Sequence, residues 1–208
     1  DEVAVIPNHY TIHEPDKKAH GYKELVDYAI KRGWFEPGSG STFDFAKVYQ
    51  AENSYGLDKN THRHVRAFEI LLEMDLSGLL TQDWEPLPFS IKPAHKVNIE
   101  TLKKILRTHF ENTSSDNSGG NTPHFMKPLT VCNIDTLEST IIQVRHNPER
   151  IILRKALGRP CFSPYLAWYC GINILPEGYE ELDSEKSLIK VIYNIFPKIK
   201  HFNCYYHY

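Results

Sequence analysis

Three short stretches of this chain carry side chains able to act on an amide or a carboxylate. The first is Pro7-Asn8-His9, closing an apolar opening segment. A carboxamide N–H held there can donate to a developing oxyanion. An Asn that satisfies its own turn is the plainer alternative. The second is Gly158-Arg159-Pro160-Cys161-Phe162-Ser163-Pro164. Its two prolines and its glycine restrict the backbone, and Arg159 can grip a carboxylate through two parallel hydrogen bonds or simply pair with a neighbouring acid. Cys161 is a nucleophile only if the fold brings it a base, because no His adjoins it in sequence; His13, His20 and His124 are available for that. The third stretch is Thr136–Thr140 with the following Ile141–Arg145. There Glu138, Gln143 and Arg145 either face one pocket or make cross-strand pairs.

Cysteine and histidine spacing adds no further site. Cys132, Cys161, Cys170 and Cys204 contain no CxxC pair, and four thiols in 208 residues do not make a disulfide scaffold. Free buried thiols are expected, with a Cys161–Cys170 bridge the one pairing close in sequence. Among eleven histidines, His62 and His64 are two apart, which on a helix turns them to diverging faces. No HExxH or zinc-finger spacing occurs, so no metal site and no cofactor are expected. Lys plus Arg (24) nearly balances Asp plus Glu (26), for a formal net charge of -2. That excludes a strongly basic nucleic-acid binder. No apolar run approaches the roughly 18 residues of a membrane span.

The elements that must position these residues are legible from periodicity. Asp1–Ile6 alternates like a strand, and Tyr10–His13 reads as a short second one. Tyr22, Leu25, Val26 and Ala29 recur at helical spacing, and Gly33 stops that helix. Asp44–Tyr49 reads as a short helix with Phe45 and Val48 inward. A stronger helix spans Thr61–Met74, with Val65, Phe68, Leu71 and Leu72 as its stripe and Arg63, Arg66 and Glu69 elsewhere. Pro86, Pro88 and Pro93 keep residues 81–93 extended or looped. Asn98 caps a helix whose inner positions are Ile99, Leu102, Ile105, Leu106 and Phe110. Glu111–His124 is a long polar loop. Leu129–Cys132, Thr140–Arg145, Ile151–Leu153 and Tyr165–Cys170 follow as strands, and Ser184 caps a final helix through Ile195. Helices come first and strands later, which is a segregated α+β order without βαβ alternation or a phosphate-binding glycine loop.

Several of these pieces, in this order, resemble the dipeptidase A family, the secernin-related cysteine dipeptidases among the N-terminal-nucleophile hydrolases. They are DEVAVIPNHYTIHEPD (Asp1–Asp16), RGWFEPGSGSTFDFAKVY (Arg32–Tyr49), the Arg63/Arg66 helix, HFENTSSD (His109–Asp116), CNIDTLESTIIQVR (Cys132–Arg145) and ALGRPCFSPYLAWYCGI (Ala156–Ile172). The likeness runs over roughly residues 1 to 175 and fades after about Tyr179. Residues 1–179 then form the later portion of a catalytic domain, and 180–208 a divergent helical tail.

The resemblance implies part of a four-layer αββα fold and hydrolysis of short peptides. In such families the nucleophile is a Cys exposed as the first residue after maturation, whose own α-amine acts as base. This chain opens on Asp1. The resemblance therefore places the nucleophile and the N-terminal portion of the fold outside it, and an isolated chain is expected to be inactive. Asn8 is the residue expected to orient substrate or hold the oxyanion; Arg159, Glu138 and Arg145 are those expected to bind substrate. Expected partners are dipeptides, the missing N-terminal segment or a second copy of the chain, with no nucleic acid. Bacterial cytoplasm and export both fit. The alternative is a non-catalytic domain that uses the same scaffold to bind peptides or a partner chain; a third reading makes Cys161 the nucleophile of a self-contained thiol hydrolase.

Overall fold

A computed structural model describes residues 1–50, 58–80, 87–119, 123–125 and 130–172. The expected helix from Ser184, the tail and Leu129 lie outside the described residues. The chain divides into two compact units, Asp1–Lys96 and Val97–Tyr208. Helices and strands mix in both, and the strands form two open antiparallel sheets of two and three strands.

Among the described residues the first unit holds three α-helices and two short strands. Strand β1 (Val3–Ala4) is shorter than expected and pairs with β2 (Ser90–Ile91), in the register Val3↔Ile91. The prolines on either side limit β2 to two residues, since each removes an amide donor. Helix α1 (Tyr22–Lys31) ends as foreseen at Gly33, whose φ of 71° lets Gly33 N–H reach the Ile30 carbonyl and Trp34 N–H reach that of Ala29. Helix α2 (Phe45–Tyr49) starts under an Asp44 cap that accepts from the Lys47 amide at 2.9 Å. Its fully buried residue is Ala46; Phe45 and Val48 are half-buried. Tyr10–His13 is not a strand. Its Ile12 and His13 carbonyls instead accept from the first amides of α2, so the segment is spent on a helix end.

Helix α3 (Asp58–Leu72) carries the core of this unit: Val65, Ala67, Phe68, Ile70 and Leu71 are buried. Such breadth means the helix is enclosed on more than one stripe, and Glu69 is drawn in with it. Contrary to expectation Glu69 is buried, its carboxylate taking Arg66 Nη1 at 3.0 Å and the Leu76 amide at 3.2 Å. Those two donors make the burial of its charge tolerable.

In the second unit, α4 (Ile99–Arg107) begins at Asn98, whose Oδ1 accepts from the Thr101 amide at 3.0 Å. Its apolar positions are only half-buried, and the fully buried Phe110 lies beyond its end at a φ of 65°. Strand β3 (Glu138–Gln143) pairs with β4 (Ile152–Leu157), and β4 with β5 (Leu166–Tyr169). Along β3 the period of two turns Ser139 and Ile141 inward and Glu138, Thr140 and Ile142 outward. Ile142, Leu153 and Trp168 stand side by side across the three strands. Thr130–Cys132 is irregular rather than a strand, because side chains take its carbonyls: Thr130 Oγ1 donates to that of Cys132 and Asn133 Nδ2 to that of Thr130. The described part of the Glu111–His124 loop has no helix or strand and is pinned by Asp116, which accepts from the Asn112 and Ser118 amides.

Candidate functional site

Titratable and nucleophilic side chains converge in the second unit. His109, His124, Cys132 and Cys161 each present a donor atom within 4.8 Å of all the others. Four separate segments deliver them. His109 follows α4, with its amide held by Glu111 Oε1 at 2.9 Å. Cys132 is set beside it, its own amide donating to the Thr108 carbonyl at 3.4 Å. His124 is fixed through its carbonyl, which accepts from the Ile134 amide at 3.1 Å. Cys161 sits on the rigid turn that the sequence singled out.

That turn is held from below by a residue sequence reasoning passed over. Arg107, the last residue of α4, donates from Nε to the Pro160 carbonyl at 2.7 Å and from Nη2 to that of Ser163 at 3.2 Å. Its guanidinium also lies 5.2 Å from the Tyr165 ring centre. Ser163 Oγ closes the turn on the Leu157 carbonyl at 2.5 Å, and Gly158 enters it at a φ of 73°. A last-turn Arg is an ordinary dipole partner in sequence; only the fold shows it bracing a cysteine loop.

The electrostatics follow from burial and contact. His124 and Cys132 are fully enclosed, His109 nearly so, and Cys161 half-buried. His124 Nε2 lies 3.2 Å from Cys161 Sγ. Contact with Cys161 holds the Cys132 thiol well below the usual range; burial opposes this, and His109 and His124 reinforce it. Burial acts to lower His109, yet contacts with Cys132 and Glu111 outweigh it and push its pKa up to about 9. Burial would likewise raise Glu111, but hydrogen bonds from His109 and Thr108 hold it down at about 2. The Cys132 thiol, the His109 imidazole and the Glu111 carboxylate thus adjoin one another, the first two buried and the last half-exposed. Chemically the cluster can act as a thiol–imidazole pair or as a two-nitrogen, two-sulfur chelate.

The residues named from the sequence are dispersed. Asn8 lies in the first unit, exposed at a bend, its carbonyl accepting from Asn60 Nδ2 at 3.2 Å. Arg159, Glu138 and Arg145 lie in the second. Arg159 is 1% exposed, with Nη2 donating to the Ile134 carbonyl at 3.4 Å, so its guanidinium faces protein beside the cysteine turn. Glu138 is exposed and pairs across the sheet with Lys155. Gln143 accepts from Arg154 across the same two strands at 3.2 Å. Arg145 is exposed two residues past the end of β3, where it lines an open groove of about 890 Å³ with His146, Glu149, Arg150 and Tyr169. Glu138 is not among that groove's residues. Of the bases considered for Cys161, His124 reaches it; His13 is engaged with Asp44 at 2.9 Å, and His20 is exposed. No disulfide joins Cys132, Cys161 or Cys170.

The sequence profile of Peptidase family C69 matches residues 1–207. The chain belongs to that family. It is similar to a probable dipeptidase of Salmonella dublin, at 29% identity over 154 residues, which is 72% of this chain and 34% of that protein. A probable dipeptidase of Latilactobacillus sakei aligns at 26% identity over 157 residues, covering 72% of this chain and 32% of the relative. A probable dipeptidase B of Lactococcus lactis is 32% identical over 106 residues, 49% of this chain and 22% of its own length. The chain therefore spans about a third of the length of the curated relatives it matches. Among the described residues no helix is long and apolar enough to cross a membrane.

Proposed function

We propose that this chain is part of a cysteine dipeptidase of the N-terminal-nucleophile type, secernin-like in its site, that it supplies substrate-holding groups, and that it does not hydrolyse peptides by itself. The observation that carries the reading is the family match along residues 1–207, joined to relatives named as dipeptidases that extend well beyond the aligned region. A thiolate contributed from outside this chain attacks the peptide carbonyl. Asn8, whose exposed carboxamide is free to turn toward a ligand, donates to the tetrahedral oxyanion. Water then releases the acyl group. Arg145 holds a peptide carboxylate in the open groove, whose other cations are Arg150 and, when protonated, His146. Arg159 keeps the Cys161 turn in place, and Glu138 orders the sheet through Lys155. The two open sheets belong, in this reading, to a four-layer αββα fold completed by the rest of the protein.

The test uses the product of the whole reading frame that contains this chain. Asn8→Ala should lower kcat for a dipeptide by about 10²–10³-fold with little change in KM. An unchanged kcat removes Asn8 from the mechanism. One observation favours a second reading, a self-contained thiol hydrolase: the 3.2 Å contact between His124 Nε2 and Cys161 Sγ. In that case the 208-residue chain hydrolyses peptides alone and alkylation of Cys161 abolishes the activity. Under the first reading the chain alone gives no turnover.

A further inference from the structure

The four donors His109, His124, Cys132 and Cys161 have no role in the proposed hydrolysis, and three of them are buried. Two thiol sulfurs and two imidazole nitrogens form the donor set of a tetrahedral zinc centre. There, metal–ligand bonds of about 2.0–2.3 Å put neighbouring donors roughly 3.3–3.8 Å apart. Here one contact, His124 Nε2 to Cys161 Sγ, is already 3.2 Å, and the widest separation in the set is within 4.8 Å. A contraction of about 1 Å closes the set on an ion of that size.

Two further features point to a ligand. His109 is 6% exposed, and its buried Nε2 makes no hydrogen bond of normal geometry, although the Cys132 thiol adjoins the ring. A buried imidazole nitrogen left so is costly unless something fills its lone-pair direction. On the other side of the ring, Nδ1 stands 3.4 Å from Glu111 Oε1. A carboxylate behind the far nitrogen is the arrangement that orients a metal-bound histidine and strengthens it as a ligand. Glu111 is itself fixed, accepting from Thr108 Oγ1 at 2.8 Å and the His109 amide at 2.9 Å. The donors come from segments that otherwise share little regular structure: the residues after α4, the polar loop, the Thr130–Cys132 turn and the Cys161 turn. A cross-link among them would organise the part of this unit that the sheet does not.

The geometry points to a structural zinc site in the second unit, ligated by His109, His124, Cys132 and Cys161, with Glu111 supporting His109. All four positions are protein ligands, so no open coordination place remains for a substrate or water, and the ion's role is to hold the loops. Cys161 bound this way is a ligand and not a nucleophile.

The experiment is direct metal binding by the purified 208-residue chain. It is stripped with chelator and titrated with Zn²⁺, and separately with Co²⁺, whose absorption reports both thiolate ligation and tetrahedral geometry. One ion per chain is expected, with a sulfur-to-cobalt charge-transfer band and a rise in thermal midpoint on adding Zn²⁺. Cys161→Ser, at the least buried ligand, should weaken Zn²⁺ by at least about 100-fold, and Glu111→Gln by about 10–100-fold. Cys170→Ser, at an exposed cysteine outside the cluster, should bind like the parent and controls for folding. Absence of stoichiometric binding, a cobalt spectrum without a thiolate band, or affinity unchanged in Cys161→Ser would each overturn the site. None of these outcomes bears on hydrolysis by a nucleophile from outside the chain, so that reading and the zinc site succeed or fail separately; zinc held by Cys161 does exclude Cys161 as a nucleophile.

Discussion

His64 sits on α3 at 1% exposure, between the rings of Phe68 at 4.5 Å and His9 at 5.7 Å, with neither imidazole nitrogen hydrogen-bonded. Burial, aided by the neighbouring His9, lowers its pKa from 6.5 to about 4. In the unfolded chain the ring takes up a proton near 6.5, while in the folded chain it resists until about 4. Its contribution to stability is therefore intact above pH 6.5 and is lost as the pH falls toward 4. The loss is about 1.4 kcal/mol per pH unit, for a limit of order 3 kcal/mol. Denaturant unfolding at pH 7.5 and pH 4.5 should show this slope in the parent and a shallower one in His64→Leu. Because Leu also removes two unsatisfied buried nitrogens, the variant should be no less stable than the parent at pH 7.5. An equal slope in both proteins would contradict the assignment. At this same scale the limits of sequence reading are plain. His62 and His64 do diverge, but nothing in their spacing says which one the core encloses. Glu69 looked like a surface residue because its role depends on Arg66 and on the Leu76 amide, seven residues along. The cluster of His109, His124, Cys132 and Cys161 escaped notice for a related reason. Its ligands come from four segments, and no local spacing rule connects them.

At the scale of elements, α1, α2, α3 and α4 were all legible, because apolar residues at helical spacing are a local signal, joined in α4 by the Asn98 cap. The Asn98 cap is one that can be weighed: Asn98→Ala should cost about 1 kcal/mol, read as a lower urea midpoint with unchanged slope. Strands β3, β4 and β5 were legible to within a few residues for the same reason, since alternation and turns mark them. Strand β2 was not, as two residues between prolines carry no period. Nor was Thr130–Cys132, where the apolar pattern promises a strand and side-chain bonds to the carbonyls prevent one. The brace from α4 to the cysteine turn makes its own prediction. Arg107→Met removes two charge-assisted bonds to the Pro160 and Ser163 carbonyls and should cost of order 3 kcal/mol. With its support gone, Cys161 should react faster with a thiol-alkylating reagent, followed by mass spectrometry. A rate equal to the parent's would mean that Ser163 and the prolines hold the turn unaided.

For the whole molecule, the family match and the open sheets belong together. The row Ile142, Leu153 and Trp168 leaves Ile142 58% exposed, and the nearby Val144 is 74% exposed. The chain spans about a third of the length of its curated relatives, which is why the activity is proposed for the whole protein and not for these 208 residues. Charge balance placed the chain away from strongly basic nucleic-acid binders. Its class came from motif order along the chain, because the chemistry depends on residues brought together by the complete fold. The central claim is most directly tested by dipeptide turnover. The product of the whole reading frame and the 208-residue chain are each incubated with the same dipeptides, and free amino acids are measured. The account predicts hydrolysis by the former and none by the latter; no hydrolysis by the whole product, or full activity in the chain alone, would contradict it.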